Sequence, residues 1–135
     1  MNNQVKGLAH IGVYTTDMKE SIRFYTEVLG FELIHQKDLV KPDGTTRLGF
    51  VNAGGLVMEF VQPADVTGLK DKKAGIVDHI AIEVKEIDAV ILRLKDNGVT
   101  FETQEKSELA DLFNGVSNIF FSGPNGERLE LFQYN

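Results

Sequence analysis

The chain has 135 residues, 42% of them hydrophobic and 25% charged, which is enough for one domain with a real core. It contains no cysteine, so disulfides, thiolate metal sites and thiol nucleophiles are excluded together. The net charge of −6, with scattered basic residues, argues against a nucleic-acid partner. No apolar run approaches the ~18 residues that span a membrane, and no charged and apolar leader opens the chain, so a cytoplasmic location is expected.

Leu8 to Tyr14 is a short, β-favouring apolar run and reads as a strand. Thr15, Thr16 and Asp17 offer N-caps for a helix over Met18 to Leu29, whose Ile22, Tyr25, Val28 and Leu29 fall at helical spacing. Gly30 is its stop. Phe31 to Asp38 resumes as a strand, the KPDG sequence ending at Gly44 turns, and Thr46 to Asn52 is the next strand. A tight turn at Gly54-Gly55 leads to the fourth strand, Leu56 to Gln62. The order so far is βαβββ.

Pro63 to Gly75 is polar and rich in structure breakers, and reads as a linker. The pattern then restarts. Val77 to Val84 is a strand, Ile87 to Lys95 a helix ended by Asn97-Gly98, and Val99 to Gln104, Val116 to Ser122 and Arg128 to Gln133 are strands. Glu105 to Gly115 is expected to be a loop at the rim of a site. One domain of two βαβββ modules results, about residues 7–62 and 76–134, joined by the linker 63–75; the fold class is α+β.

The modules repeat in detail as well as in outline. His10 and His79 stand 69 residues apart, Glu59 and Glu130 stand 71 apart. Gly55 and Gly126 each precede their glutamate by four residues, and Gln62 and Gln133 each follow it by three. Two units point to internal duplication and not to a solenoid, which needs three or more.

Side chains alternate across a strand. His10 therefore shares a face with Gly12 and Tyr14, His79 with Ala81 and Glu83, Glu59 with Val57 and Val61, and Glu130 with Arg128 and Phe132. The apolar sets on the other face pack under the helices, which leaves all four polar candidates on the face away from them. A glutamate set between Met58 and Phe60, or between Leu129 and Leu131, is costly to bury without a positive partner. Taken singly each would be an ordinary solvated strand residue; the duplicated placement makes the set a metal site. Two imidazoles and two carboxylates suit Zn, Ni, Co, Mn or Fe(II). Four protein ligands leave an octahedral ion two open positions, the mark of a catalytic and not a structural metal. His35 reads as a surface histidine. Arg47, Arg128 and Tyr14 could hold a substrate anion, with solvated or salt-bridged roles as the ordinary alternative.

These residues resemble the vicinal oxygen chelate superfamily, which includes glyoxalase I, methylmalonyl-CoA epimerase, extradiol dioxygenases and fosfomycin and bleomycin resistance proteins. The resemblance covers nearly the whole chain, through LAHIGVYTTDMKESIRFYTEVLGFEL, VMEFVQP, VDHIAIEV and GPNGERLELFQ. It implies an eight-stranded cup around one divalent metal ion, a small-molecule substrate and a homodimer. The second acidic ligand, Glu59, is similar to the His-Glu-His-Glu set of bacterial glyoxalase I and unlike the three-ligand sites of dioxygenases. That similarity implies a metal, Ni, Zn, Co or Mn, holding the two oxygens of a hemithioacetal, with Glu59 or Glu130 moving a proton through an enediolate to form a lactoylthiol. Tyr14 stands where bacterial glyoxalases carry a glutathione-holding arginine, and ELADLFNGVSNIFF lacks their GGTT-like run, so the resemblance does not extend to the thiol. A methylmalonyl-CoA epimerase, to whose IELLxP segment MEFVQP is similar, and a non-catalytic drug-binding protein are the alternatives.

Overall fold

A computed structural model of the chain describes residues 4, 8–72 and 77–135. It divides into two compact units, Met1–Lys72 and Lys73–Asn135. The ends of the expected modules and linker at 7, 73–75 and 76 lie outside the described residues.

In the first unit β1 (His10–Tyr14) leads into α1 (Met18–Arg23), followed by β2 (Glu32–Lys41), β3 (Gly44–Ala53) and β4 (Leu56–Gln62). The sheet order is β1-β4-β3-β2, with β1 and β4 parallel and the other neighbours antiparallel. Asp17 caps α1 by accepting from Glu20 N, and Gln62 Oε1 reaches from β4 to accept from Met18 N at 2.8 Å. The expected helix over Met18 to Leu29 does not run as one α-helix. After Arg23 it widens into a π-helical turn over Phe24–Val28, with Leu29 N donating to Phe24 O at 3.0 Å. Within this stretch Thr26 Oγ1 donates to Ile22 O at 2.6 Å, a side-chain bond to the carbonyl one turn back. The bulge carries Phe24, Tyr25 and Val28 into the core with Val51, Met58 and Phe60, and the Tyr25 and Phe60 rings meet at 4.7 Å.

The linker region holds a short 3₁₀ turn, Leu69–Asp71. The second unit repeats the plan with β5 (Ile80–Glu83), α2 (Ile87–Asp96), β6 (Ser107–Leu109), β7 (Val116–Ser122) and β8 (Arg128–Tyr134), in the order β5-β8-β7-β6. Gln133 Oε1 accepts from Ile87 N at 2.8 Å, as Gln62 does for α1. The core is Ile87 and Leu94 of α2 with Ile119, Phe121, Leu129 and Leu131 of the sheet. The α+β class and the two βαβββ modules hold as expected.

One strand is displaced. Val99 to Gln104 touches β7 through a single bridge, Phe101 to Phe121, and Glu102 N donates to Phe120 O at 3.0 Å. Regular pairing starts only at β6, inside the segment expected to be a loop. Between Phe101 and Ser107 the chain uses six residues where β7 uses three, from Phe121 to Asn118. A turn closed by Thr103 Oγ1 on Glu105 O, at 2.8 Å, absorbs the excess, and Lys106 is tied to Asp88 at 2.8 Å. Beyond β6, Phe113 and Asn114 hold left-handed backbones, φ 46 and 63°.

β2 is the terminal strand of its sheet and is exposed along its length, with a register shift between Leu33 and His35.

Candidate metal centre

In the first unit, strand register decides which side chains meet. Gly12 lies opposite Glu59 in the β1–β4 pair, so His10, two residues earlier on the same face, is its diagonal neighbour. His10 Nε2 lies 3.2 Å from Glu59 Oε1. On β3, Phe50 stands opposite Glu59, and its ring meets His10 edge-on at 6.2 Å. A Cβ placed on Gly12 would sit in ordinary contact with Glu59 Oε1, at 3.8 Å, so Gly12 and the carboxylate lie on one face.

The second unit builds the same arrangement. Ala81 lies opposite Glu130, His79 Nε2 is 3.3 Å from Glu130 Oε1, and Phe120, opposite Glu130 on β7, meets His79 edge-on at 5.2 Å. Phe50 and Phe120 are 70 residues apart, in step with the histidines and glutamates, so the repeat itself carried the signal that would have found them.

The two pairs differ in their supports. His79 Nδ1 is 2.9 Å from Asp78 Oδ2, which fixes the ring with Nε2 toward Glu130. The His79 hydrogen bond, then that of Arg128, holds the Asp78 carboxyl below its usual range. Arg128 Nη1 donates to Asp78 at 2.6 Å and Nε to Glu102 at 3.0 Å, while the guanidinium lies 3.9 Å from the Phe120 ring centre. These carboxylates raise the Arg128 pKa, the Glu102 bond contributing most. Glu130 is buried, and Asn118 Nδ2 donates to its Oε2 at 2.7 Å. Neither Asp78 nor Asn118 was found by sequence reasoning.

Other candidates stand apart. Arg47 pairs with Gln62, on the face opposite Glu59, and lines a groove of about 410 Å³ beside α1 with Lys19, Arg23 and Asp38. It cannot serve an anion held at Glu59. Tyr14 shares the His10 face but is exposed, with Lys72 Nζ 4.9 Å from its ring centre. His35 packs against Phe50 at 5.7 Å.

Two donor atoms each ~2.1 Å from one ion lie about 3.0 Å apart at a right angle and about 3.4 Å apart at the tetrahedral angle. The His–Glu separations of 3.2 and 3.3 Å fall between, so each pair fits two adjacent ligands of a divalent cation. Among the described residues no three His, Cys, Asp or Glu side chains are placed to hold one ion, so a pair is what each unit offers by itself.

A model of the Glyoxalase/Bleomycin resistance protein/Dioxygenase superfamily matches residues 7–131. The chain is similar to the mitochondrial methylmalonyl-CoA epimerase of Bos taurus, 32% identical over 103 residues that cover 73% of this chain and 58% of the relative. It thus spans a little over half the length of the mammalian epimerases it matches. It is 29% identical to the probable lactoylglutathione lyase of Synechocystis sp., with 93% and 94% of the two chains covered. Among solved structures, the trypanothione-dependent glyoxalase I of Leishmania major shares the fold with a TM-score of 0.75 at 22% identity, over 96% of this chain and 87% of that one. The fosfomycin resistance protein FosX of Listeria monocytogenes, in complex with Mn(II) and sulfate, does so with a TM-score of 0.73 at 19% identity, over 97% and 94%.

Proposed function

Since the chain belongs to the Glyoxalase/Bleomycin resistance protein/Dioxygenase superfamily, we propose that it is a divalent-metal-dependent lyase or isomerase of the glyoxalase I type. The observation that carries this reading is the duplicated pair, His10 with Glu59 and His79 with Glu130, at ligand spacing in each module. The two pairs together hold one ion (Ni, Zn, Co or Mn), contributed by one chain or by two copies in a homodimer. FosX with Mn(II) supports a divalent cation, and the cysteine-free donor set suits one.

When bound, the ion supplies Lewis-acid stabilisation of negative charge on substrate oxygens. The side chains do the rest. A carboxylate of Glu59 or Glu130 takes the proton from a carbon beside a carbonyl and returns it to the adjacent carbon, so one hydrogen moves and no oxidant is consumed. His10 and His79 would hold the ion through Nε2, and Asp78 orients the His79 ring from Nδ1. Phe50 and Phe120 wall the two histidines with ring edges.

A second reading is an epimerase that returns the proton to the same carbon from the opposite side. The 32% identity to methylmalonyl-CoA epimerase favours it. Both readings require metal and a carbon-bound hydrogen made acidic by a neighbouring carbonyl. The test is metal analysis of the purified full chain, then assay in D₂O with methylglyoxal and several thiols, and with 2-methyl-branched CoA thioesters. About one metal per site, and turnover of one panel that is lost in Glu59→Gln and Glu130→Gln, is the expected result; product without deuterium marks return of the same hydrogen, and deuterium marks exchange at the carboxylate. No stoichiometric metal would sink both readings. Metal without turnover of any member would leave a non-catalytic small-molecule binder.

A further inference from the structure

The two glutamates, matched in sequence, are not matched in their surroundings. Glu130 Oε1 faces His79 Nε2, while its Oε2 accepts from Asn118 Nδ2 at 2.7 Å. Asn118 is on β7 two residues before Phe120 and shares the face of Glu130; its residue exposure is 9% and that of Glu130 is 5%. The corresponding place in the first unit, two residues before Phe50 on β3, is Leu48, which has no donor to offer Glu59. The Glu59 side chain is 19% exposed against 7% for Glu130.

The Asn118 amide has one permissible orientation. Turned over, it would set Oδ1 against a carboxylate oxygen at hydrogen-bond distance. As placed, Oδ1 is buried with no donor among the described residues, a cost the side chain carries while Nδ2 holds the carboxylate. A buried amide with one end unsatisfied is poor core packing, where leucine serves the sister module. Its use is toward Glu130.

Resting on the metal reading above, we propose that Asn118 is a positioning residue: it occupies Oε2 of Glu130 so that Oε1 alone is presented beside His79 Nε2. Glu130 is thereby a pre-oriented one-oxygen ligand, while Glu59 has Leu48 at the place that Asn118 takes beside Glu130. An unheld carboxylate must lose torsional freedom when an ion binds; a held one has lost it already.

The test is titration calorimetry of the full chain with Ni(II) alone, for wild type, Asn118→Leu, Glu130→Gln and the double variant. Asn118→Leu keeps the size and removes the donor, and should weaken Ni(II) about tenfold. If Asn118 acts through Glu130, adding Asn118→Leu to Glu130→Gln should weaken binding less than twofold further. Equal affinity of wild type and Asn118→Leu would overturn the proposal while leaving the metal site standing. Losses that multiply in the double variant would also overturn it, since they mark a merely structural role. Wild type that binds no Ni(II) removes the metal reading and this inference with it. Should Asn118→Leu aggregate, Asn118→Ala in the same cycle decides on the same criteria.

Discussion

Asp78 is the residue on which the second His–Glu pair turns. Its carboxylate is shared between His79 Nδ1 and Arg128, so removing it takes away the hold on Nδ1 and leaves Arg128 with Glu102 and the Phe120 ring. Asp78→Ala should weaken Ni(II) binding by about ten- to a hundredfold, the usual cost of losing a carboxylate behind a ligating histidine. Calorimetry on the full chain checks this, with an unfolding scan to show that the fold persists; unchanged affinity would deny His79 a ligand role oriented from Nδ1. His10, Glu59, His79 and Glu130 were legible because strand alternation and the repeat both operate on sequence alone. Their supports differ in legibility. Asp78 adjoins His79, and a carboxylate beside a candidate ligand was there to be weighed. Asn118 meets Glu130 only across β7 and β8, through a register that no local pattern specifies. Arg47 escaped for the same reason, since its face follows from pairing with Gln62.

At the scale of elements, each helix is tied to its sheet by a glutamine three residues beyond a candidate ligand. Gln62 accepts from Met18 N and Gln133 from Ile87 N, both at 2.8 Å. Helix-start amides have no partner inside the helix, so the strand supplies one. Gln62→Ala and Gln133→Ala should each lower stability by about 1 kcal/mol in denaturant unfolding. If neither moves the midpoint, the two bonds are exchanged for water without loss. The strands that carry the pairs were readable because their apolar alternation is regular. The π-turn was not, because Tyr25, Val28 and Leu29 keep helical apolar spacing, and that spacing does not distinguish a bond to the fifth residue back, as from Leu29 to Phe24, from one to the fourth. β6 was misplaced because Val99 to Gln104 has strand composition yet pairs through one bridge, the register having been spent in the turn after it.

For the whole molecule, metal binding should appear as stability. Ligand that binds only the folded state at a thousandfold excess over Kd contributes about 4 kcal/mol, a rise of roughly 15 °C in Tm for a domain of this size. Scans of chelator-treated protein with and without Ni(II) should show that rise and its reversal by chelator; an unmoved Tm at saturating Ni(II) would contradict a site formed by folded protein. Composition had correctly excluded cysteine chemistry at this scale, and among the described residues no helix is long and apolar enough to cross a membrane.

The terminal strand β2 has a consequence of its own. Ten residues of sheet edge lie exposed, with Leu33, Ile34, Leu39 and Val40 among them, and Val40 is 83% exposed. Such an edge offers free backbone donors and acceptors to any chain that meets it. The irregularity between Leu33 and His35 interrupts that template near its start, and Lys37 and Lys41 set charge along the remainder. The fold therefore has to guard against sticky self-addition along this edge. Replacing those lysines with threonine or valine would trade nothing in the site for fibre-prone protein at high concentration.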